Sequence, residues 1–168
     1  MKFTWLGTAL MVIPMVALAA PKSPDESFYK KAAEGGMAEV ELGQLAQSKG
    51  TSQAVKDFGA MMVKDHSAAN DQLKTLASSK GIDLPGGPSI GQKTTKGKLE
   101  VLSGDTFDKS YIKGMVKDHK EDIKEFEHEA KYGQDADAKS FAATTLPTLR
   151  AHLDKIESIA SSAGVAVH

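Results

Sequence analysis

The stretch LPGGPSIGQKTTKGKLEVLSG, residues 84–104, decides the fold. Pro85, Pro88 and the Gly86-Gly87 pair break any helix that reaches it, and a Lys/Thr/Gly-rich run follows as far as Gly104. On either side the apolar residues recur at spacings of three and four, and strict alternation is scarce, so the flanking chain reads as helix. The periodicity predicts four helices, over 25–48, 53–80, 105–132 and 135–162. Gly50, Gly81 and Gly133 serve as stops, Ser52 as a cap, and Pro147 as a kink or a fresh helix start. Helices of roughly 24–28 residues are about 36–42 Å long. Extended chain covers about 3.3 Å per residue, so the link between the second and third helices can run the full length of a bundle and make those two helices parallel. Leu99, Val101 and Leu102 are expected to form a short helical piece inside it.

That connectivity is the ferritin-like one, so the expected fold class is all-α, a ferritin-like four-helix bundle with one long crossover. The chain has 168 residues, enough for one compact domain and too few for two sizeable ones. Lys2 is followed by an apolar stretch to Ala20 and the small residues Ala17-Leu18-Ala19, the pattern of a secretory signal peptide cleaved after Ala19. The expected organisation is a signal at 1–19, a short tail at 20–24, the bundle at 25–162 and a C-terminal tail at 163–168. A periplasmic or secreted location follows, with no stable membrane insertion after cleavage, because no second apolar run approaches the roughly 18 residues a span requires. The formal charge of −1 leaves no basic surplus for nucleic acid. With no cysteine there is no disulfide framework and no thiolate metal site.

The string MVKDH occurs twice, at 62–66 and 115–119, near the middle of the second and third helices. A wheel at about 100° per residue places His66 within the arc of Val55, Phe58, Met62 and Leu73. His119 falls within the arc of Tyr111, Ile112, Met115 and Phe126, and His152 within that of Phe141, Leu149, Leu153 and Ile156. His128 points away from the core, among Lys117, Glu121 and Lys124. On the first helix Glu39 lies on the face of Phe28, Ala33, Gly36, Val40 and Gly43, where the glycines permit close helix approach. Glu34 and Glu41 are its reserves if the helix is rotated.

One carboxylate and three imidazoles from four helices suit a single transition-metal ion, zinc or copper, held by Glu39, His66, His119 and His152. Met62 and Met115 each precede a histidine by four residues and share its face, which suits copper(I), although methionine also packs cores well. A diiron centre is disfavoured, since Val63, Val116 and Leu149 stand where Glu-x-x-His needs glutamate. In the metal-free alternative the histidines are structural, satisfied by Tyr111, Asp65, Asp118, Asp122 or Thr145. The protein would then act through its surface on a protein partner or as a homodimer. No phosphate-binding glycine loop, GxSxG elbow or cysteine nucleophile is present, so the chain reads as non-enzymatic and no catalytic residue is assigned. Which of Glu34, Glu41, Asp65, Asp118 and Asp122 joins the cluster stays open at this level.

The segments FYKKAAEGGMAEVELGQLA (28–46), FGAMMVKDH (58–66), FDKSYIKGMVKDH (107–119) and LPTLRAH (146–152) resemble a secreted bacterial ferritin-like four-helix family of unknown function, whose members carry the label outer-membrane protein. The resemblance covers about residues 25–160. It implies the fold, the export signal and the positions Glu39, His66, His119 and His152, and it implies no activity.

Overall fold

The computed structural model describes residues 23–167. The expected signal at 1–19, the first residues of the tail that follows it and the terminal His168 lie outside the described residues. Five helices form: α1 (Glu26–Lys49), α2 (Gln53–Ser79), α3 (Ile90–Glu100), α4 (Gly104–Tyr132) and α5 (Ala136–Ser162). There is no strand among the described residues. Nor is any helix there long and apolar enough to cross a membrane.

The expectation of four helices is corrected here. The run read as a connection contains an eleven-residue helix, α3, opened by a reciprocal capping box. The Ser89 hydroxyl accepts from Gln92 N–H, and the Gln92 side chain accepts from Ser89 N–H at 2.8 Å. Only Leu99 of α3 is buried, so the apolar repeat that normally betrays a helix is almost absent. Lys96 ties α3 to Glu41 of α1 at 3.0 Å. α5 runs on through Pro147 as one helix, without a fresh start there. The Thr144 and Thr145 hydroxyls donate back to the Ser140 and Phe141 carbonyls in the turns before the proline.

α1 packs along α2 and α4 along α5, with α1 facing α4 and α2 facing α5 across the seam. At the α1–α2 crossing Gly43 and Gly59 abut: a Cβ on either would stand 2.6 Å from the carbonyl oxygen of the other. The interior separates into two apolar clusters. One gathers Leu42, Phe58, Met62, Tyr111, Met115 and Ile156, the other Phe28, Ala33, Leu73, Phe126, Phe141 and Leu149. α2 and α4 both run from the first cluster to the second, while α1 and α5 run the other way. On each long helix one polar residue stands between the clusters: Glu39, His66, His119 and His152.

Polar ties hold the two ends of the bundle. Buried Asp108 accepts from Thr51 N–H and Ser52 N–H at 2.9 and 2.7 Å, fixing the α1–α2 turn. At the other end Asp25 accepts from Gln134 N–H and Asp135 N–H at 2.7 and 2.6 Å. Lys80 meets Asp135 at 2.8 Å.

Candidate metal centre

The α-helical period brings one side chain per long helix to a common level between the two apolar clusters. His119 is fully buried and His152 nearly so, at 2% exposure. Glu39 and His66 are 3% and 6% exposed. The imidazole centroids lie 5.9 Å apart for His66–His119, 5.3 Å for His66–His152 and 5.5 Å for His119–His152. One ring nitrogen from each of the three falls within 4.8 Å of the others. This tri-histidine cluster is positioned to coordinate a transition-metal ion.

Each ring has one nitrogen engaged and one without a partner. His66 Nδ1 lies 2.8 Å from Glu39 Oε2. His119 Nδ1 lies 2.9 Å from the Met115 carbonyl oxygen and 3.5 Å from Glu39 Oε1. His152 Nε2 lies 2.9 Å from Asp65 Oδ2. Carbonyls and carboxylates only accept, so these three nitrogens carry the protons. His66 Nε2, His119 Nε2 and His152 Nδ1 are buried without a hydrogen-bond partner. In neutral rings they are bare lone pairs, and an unsatisfied buried acceptor costs about 1–3 kcal/mol. Three such acceptors on converging rings fit a cation, and an outer acceptor on each opposite nitrogen is the usual support of metal-bound imidazole.

The electrostatics favour the neutral form at His119 and His152. Burial pushes the Glu39 carboxyl up, but its attraction to the neighbouring imidazoles, His66 foremost, and the His66 hydrogen bond outweigh it and hold the carboxyl at about 2. Burial pushes the His66 imidazole down, yet the Glu39 charge and hydrogen bond, with the Asp65 charge, raise it above its ordinary value. Burial lowers His119 against the pull of Glu39, and lowers His152 against its bond to Asp65. Those two rings are therefore neutral, the form that ligates. Asp122 is driven well above the carboxylate range by burial, by the charges of Glu39 and Asp118 and by a hydrogen bond with Glu39. Burial and the Glu39 charge bring Asp118 to about 6.

Of the residues singled out in the sequence, the three histidines come together directly. Glu39 meets the outer, Nδ1 sides of His66 and His119. Asp122 reaches Glu39, and Glu41 is taken by Lys96. Glu34 and Asp118 stand outside the converging donors. Met62 and Met115 are buried in the first apolar cluster. Tyr111 OH has no partner and Thr145 donates to Phe141, so neither satisfies a histidine. His128 is exposed, as the wheel placed it. Of the candidate histidine partners left open in the sequence, Asp65 is the one that meets His152. Its position next to His66 points it about 100° away, toward α5.

A family model described as a domain of unknown function, DUF4142, matches residues 12–159. No curated protein matches the chain. A DUF305 protein from Streptomyces coelicolor, described as secreted, superposes with a TM-score of 0.74 at 11% identity, covering 87% of this chain and 97% of that one. A DUF305 fragment from Deinococcus radiodurans superposes with a TM-score of 0.73 at 12% identity, covering 84% and 99%. At such identities the likeness shows the fold alone. It corrects the expected membership of a ferritin-like four-helix family: the structural likeness is to DUF305 proteins, and the described residues form five helices.

Proposed function

The chain belongs to the DUF4142 family, and from the chemistry of its core we propose that it is an exported protein binding one transition-metal ion, zinc or copper. His66 Nε2, His119 Nε2 and His152 Nδ1 are the ligand atoms. Glu39 holds His66 and His119 from outside, and Asp65 holds His152. The observation that carries this reading is the set of three buried ring nitrogens without partners on rings whose other nitrogens are all engaged. A three-imidazole set suits zinc or copper, and such an ion supplies Lewis acidity or, for copper, one-electron chemistry. All three ligands come from one chain, so the centre needs no partner and no second copy.

Export is supported by the N-terminal pattern of Lys2, an apolar run and Ala17-Leu18-Ala19, and by the likeness to a protein described as secreted. On this reading residues 1–19 are a cleaved signal and the mature domain is the bundle. The test is elemental analysis of untagged mature protein beside a His66→Ala/His119→Ala variant. Near-stoichiometric zinc or copper, lost in the variant, is the expected result. No metal after reconstitution with either ion overturns the reading in favour of a surface-acting protein with structural histidines.

A further inference from the structure

We propose that the cavity between α1, α3 and α4 is the route by which a hydrated divalent cation reaches the imidazoles, an inference that rests on the metal-binding reading above. The cavity is open to solvent and has a volume of about 380 Å³. A six-water shell occupies roughly 180 Å³ at about 30 Å³ per water, so the hydrated ion fits. Three carboxylates face it, Glu39 from α1 and Asp118 and Glu121 from α4, with the neutral Asp122 carboxyl beside them. The one ammonium beside them, on Lys117, is drawn to Glu121, 3.4 Å away. Clefts lined by one sign of charge concentrate counter-ions and speed their arrival. Among the described residues these acidic groups do not converge within 4.8 Å as the imidazoles do.

Behind this cavity lies a second, of about 20 Å³, lined by His66, Asn70 and Thr145 and room for about one water. Gly35, Glu39 and Asp122 line both spaces. The passage from one to the other therefore runs along the Glu39–Asp122 contact, and only an ion that has shed most of its water fits beyond it. Glu39 suits that exchange. It is 3% exposed, its Oε1 is buried with a long 3.5 Å approach to His119 Nδ1, and its other oxygen already holds His66. The carboxylate thus offers an oxygen ligand at the step where water is lost, one side chain away from the imidazoles.

The passage can be altered without touching a ligand. Asp118→Asn removes a charge from the wall. Gly35→Leu adds bulk at the constriction, where a Cβ would meet only Asp122 Oδ1 at an ordinary 3.8 Å. Cobalt(II) is mixed with the metal-free mature protein in a stopped-flow instrument, and the rise of its visible absorption is followed at several salt concentrations. Asp118→Asn is expected to slow loading about threefold to tenfold and to weaken its salt dependence. Gly35→Leu is expected to slow it at least as much, and both should reach the wild-type stoichiometry. Wild-type loading rates in both variants overturn the route while leaving the metal centre standing. Loss of the end point in Asp118→Asn also overturns it, by making Asp118 a ligand. A wild-type protein that acquires no cobalt absorption overturns the metal centre and the route together.

Discussion

Replacing Gly43 by alanine tests the α1–α2 crossing on which the polar layer depends. The new Cβ would stand 2.6 Å from the Gly59 carbonyl oxygen and 3.1 Å from both Met62 Cβ and Val63 Cγ2. The first neighbour is backbone in the middle of a helix and cannot rotate aside. The two helices must part by about half an ångström, and in a close-packed interior such overpacking costs about 1–3 kcal/mol. Because that contact is with backbone, the cost falls at the upper end, about 2–3 kcal/mol, and the better helix propensity of alanine returns about 1 kcal/mol, leaving a net loss of about 1–2 kcal/mol. For a chain of this size that lowers Tm by about 3–6 °C. The shift also acts on function, because Glu39 lies one turn from Gly43 and its 2.8 Å contact with His66 spans the same two helices. The assay is urea unfolding of the metal-free protein by circular dichroism, with the slope m unchanged. Gly114→Ala is the control: a Cβ there meets nothing within 4 Å, so stability should rise by about 0.5–1 kcal/mol. If Gly43→Ala matches or exceeds the wild type while Gly114→Ala behaves as stated, the account of the crossing is refuted.

Three further predictions follow from individual side chains. Asp65→Asn should weaken zinc binding about 10–100-fold, measured by competition with a chelating dye, because the outer partner fixes the orientation of His152; unchanged affinity would deny that role. Tyr111→Phe should be neutral or stabilising by up to about 1 kcal/mol in urea, since it removes a buried hydroxyl that has no partner. Glu129 is pushed up to about 7 by burial, by the Asp25 charge and by a hydrogen bond with Asp25. The folded state therefore binds this proton more tightly than the unfolded chain, and stability from this group falls as pH rises from about 4.5 to 7. Glu129→Gln should flatten that decline and raise Tm at pH 8 relative to pH 5, and a Tm profile parallel to the wild type would contradict it.

The candidate site was legible because burial of polar residues is rare and helical periodicity reveals it. His66, His119 and His152 sit inside apolar arcs, and Glu39 shares a face with alanines and glycines, so each had to be facing the interior. Counting turns brought them to about one level, and packing closed the remaining offset to 2.8 Å between Glu39 and His66. What the chain did not display are properties of pairs of helices. The Asp65–His152 bond depends on how α2 and α5 rotate against each other, and the choice of protonated nitrogen depends on which acceptor each ring meets. α3 escaped for another reason. With one buried apolar residue its periodicity carries almost no signal, and its legible mark was the Ser89-x-x-Gln92 capping box, hidden among residues that read as linker. The ferritin-like fold class rested on the long crossover and the parallel second and third long helices, which a five-helix bundle of this kind also has.

The central claim is that three specific ring nitrogens hold the ion. Crystals of the zinc-loaded mature protein, measured on both sides of the zinc absorption edge, locate it directly. The account predicts one anomalous peak between the two apolar clusters, about 2.0–2.1 Å from His66 Nε2, His119 Nε2 and His152 Nδ1, with Glu39 and Asp65 still on the opposite nitrogens. A peak on the Nδ1 side of His66, a peak confined to the carboxylates of the outer cavity, or full zinc loading with no peak at the imidazoles would contradict it.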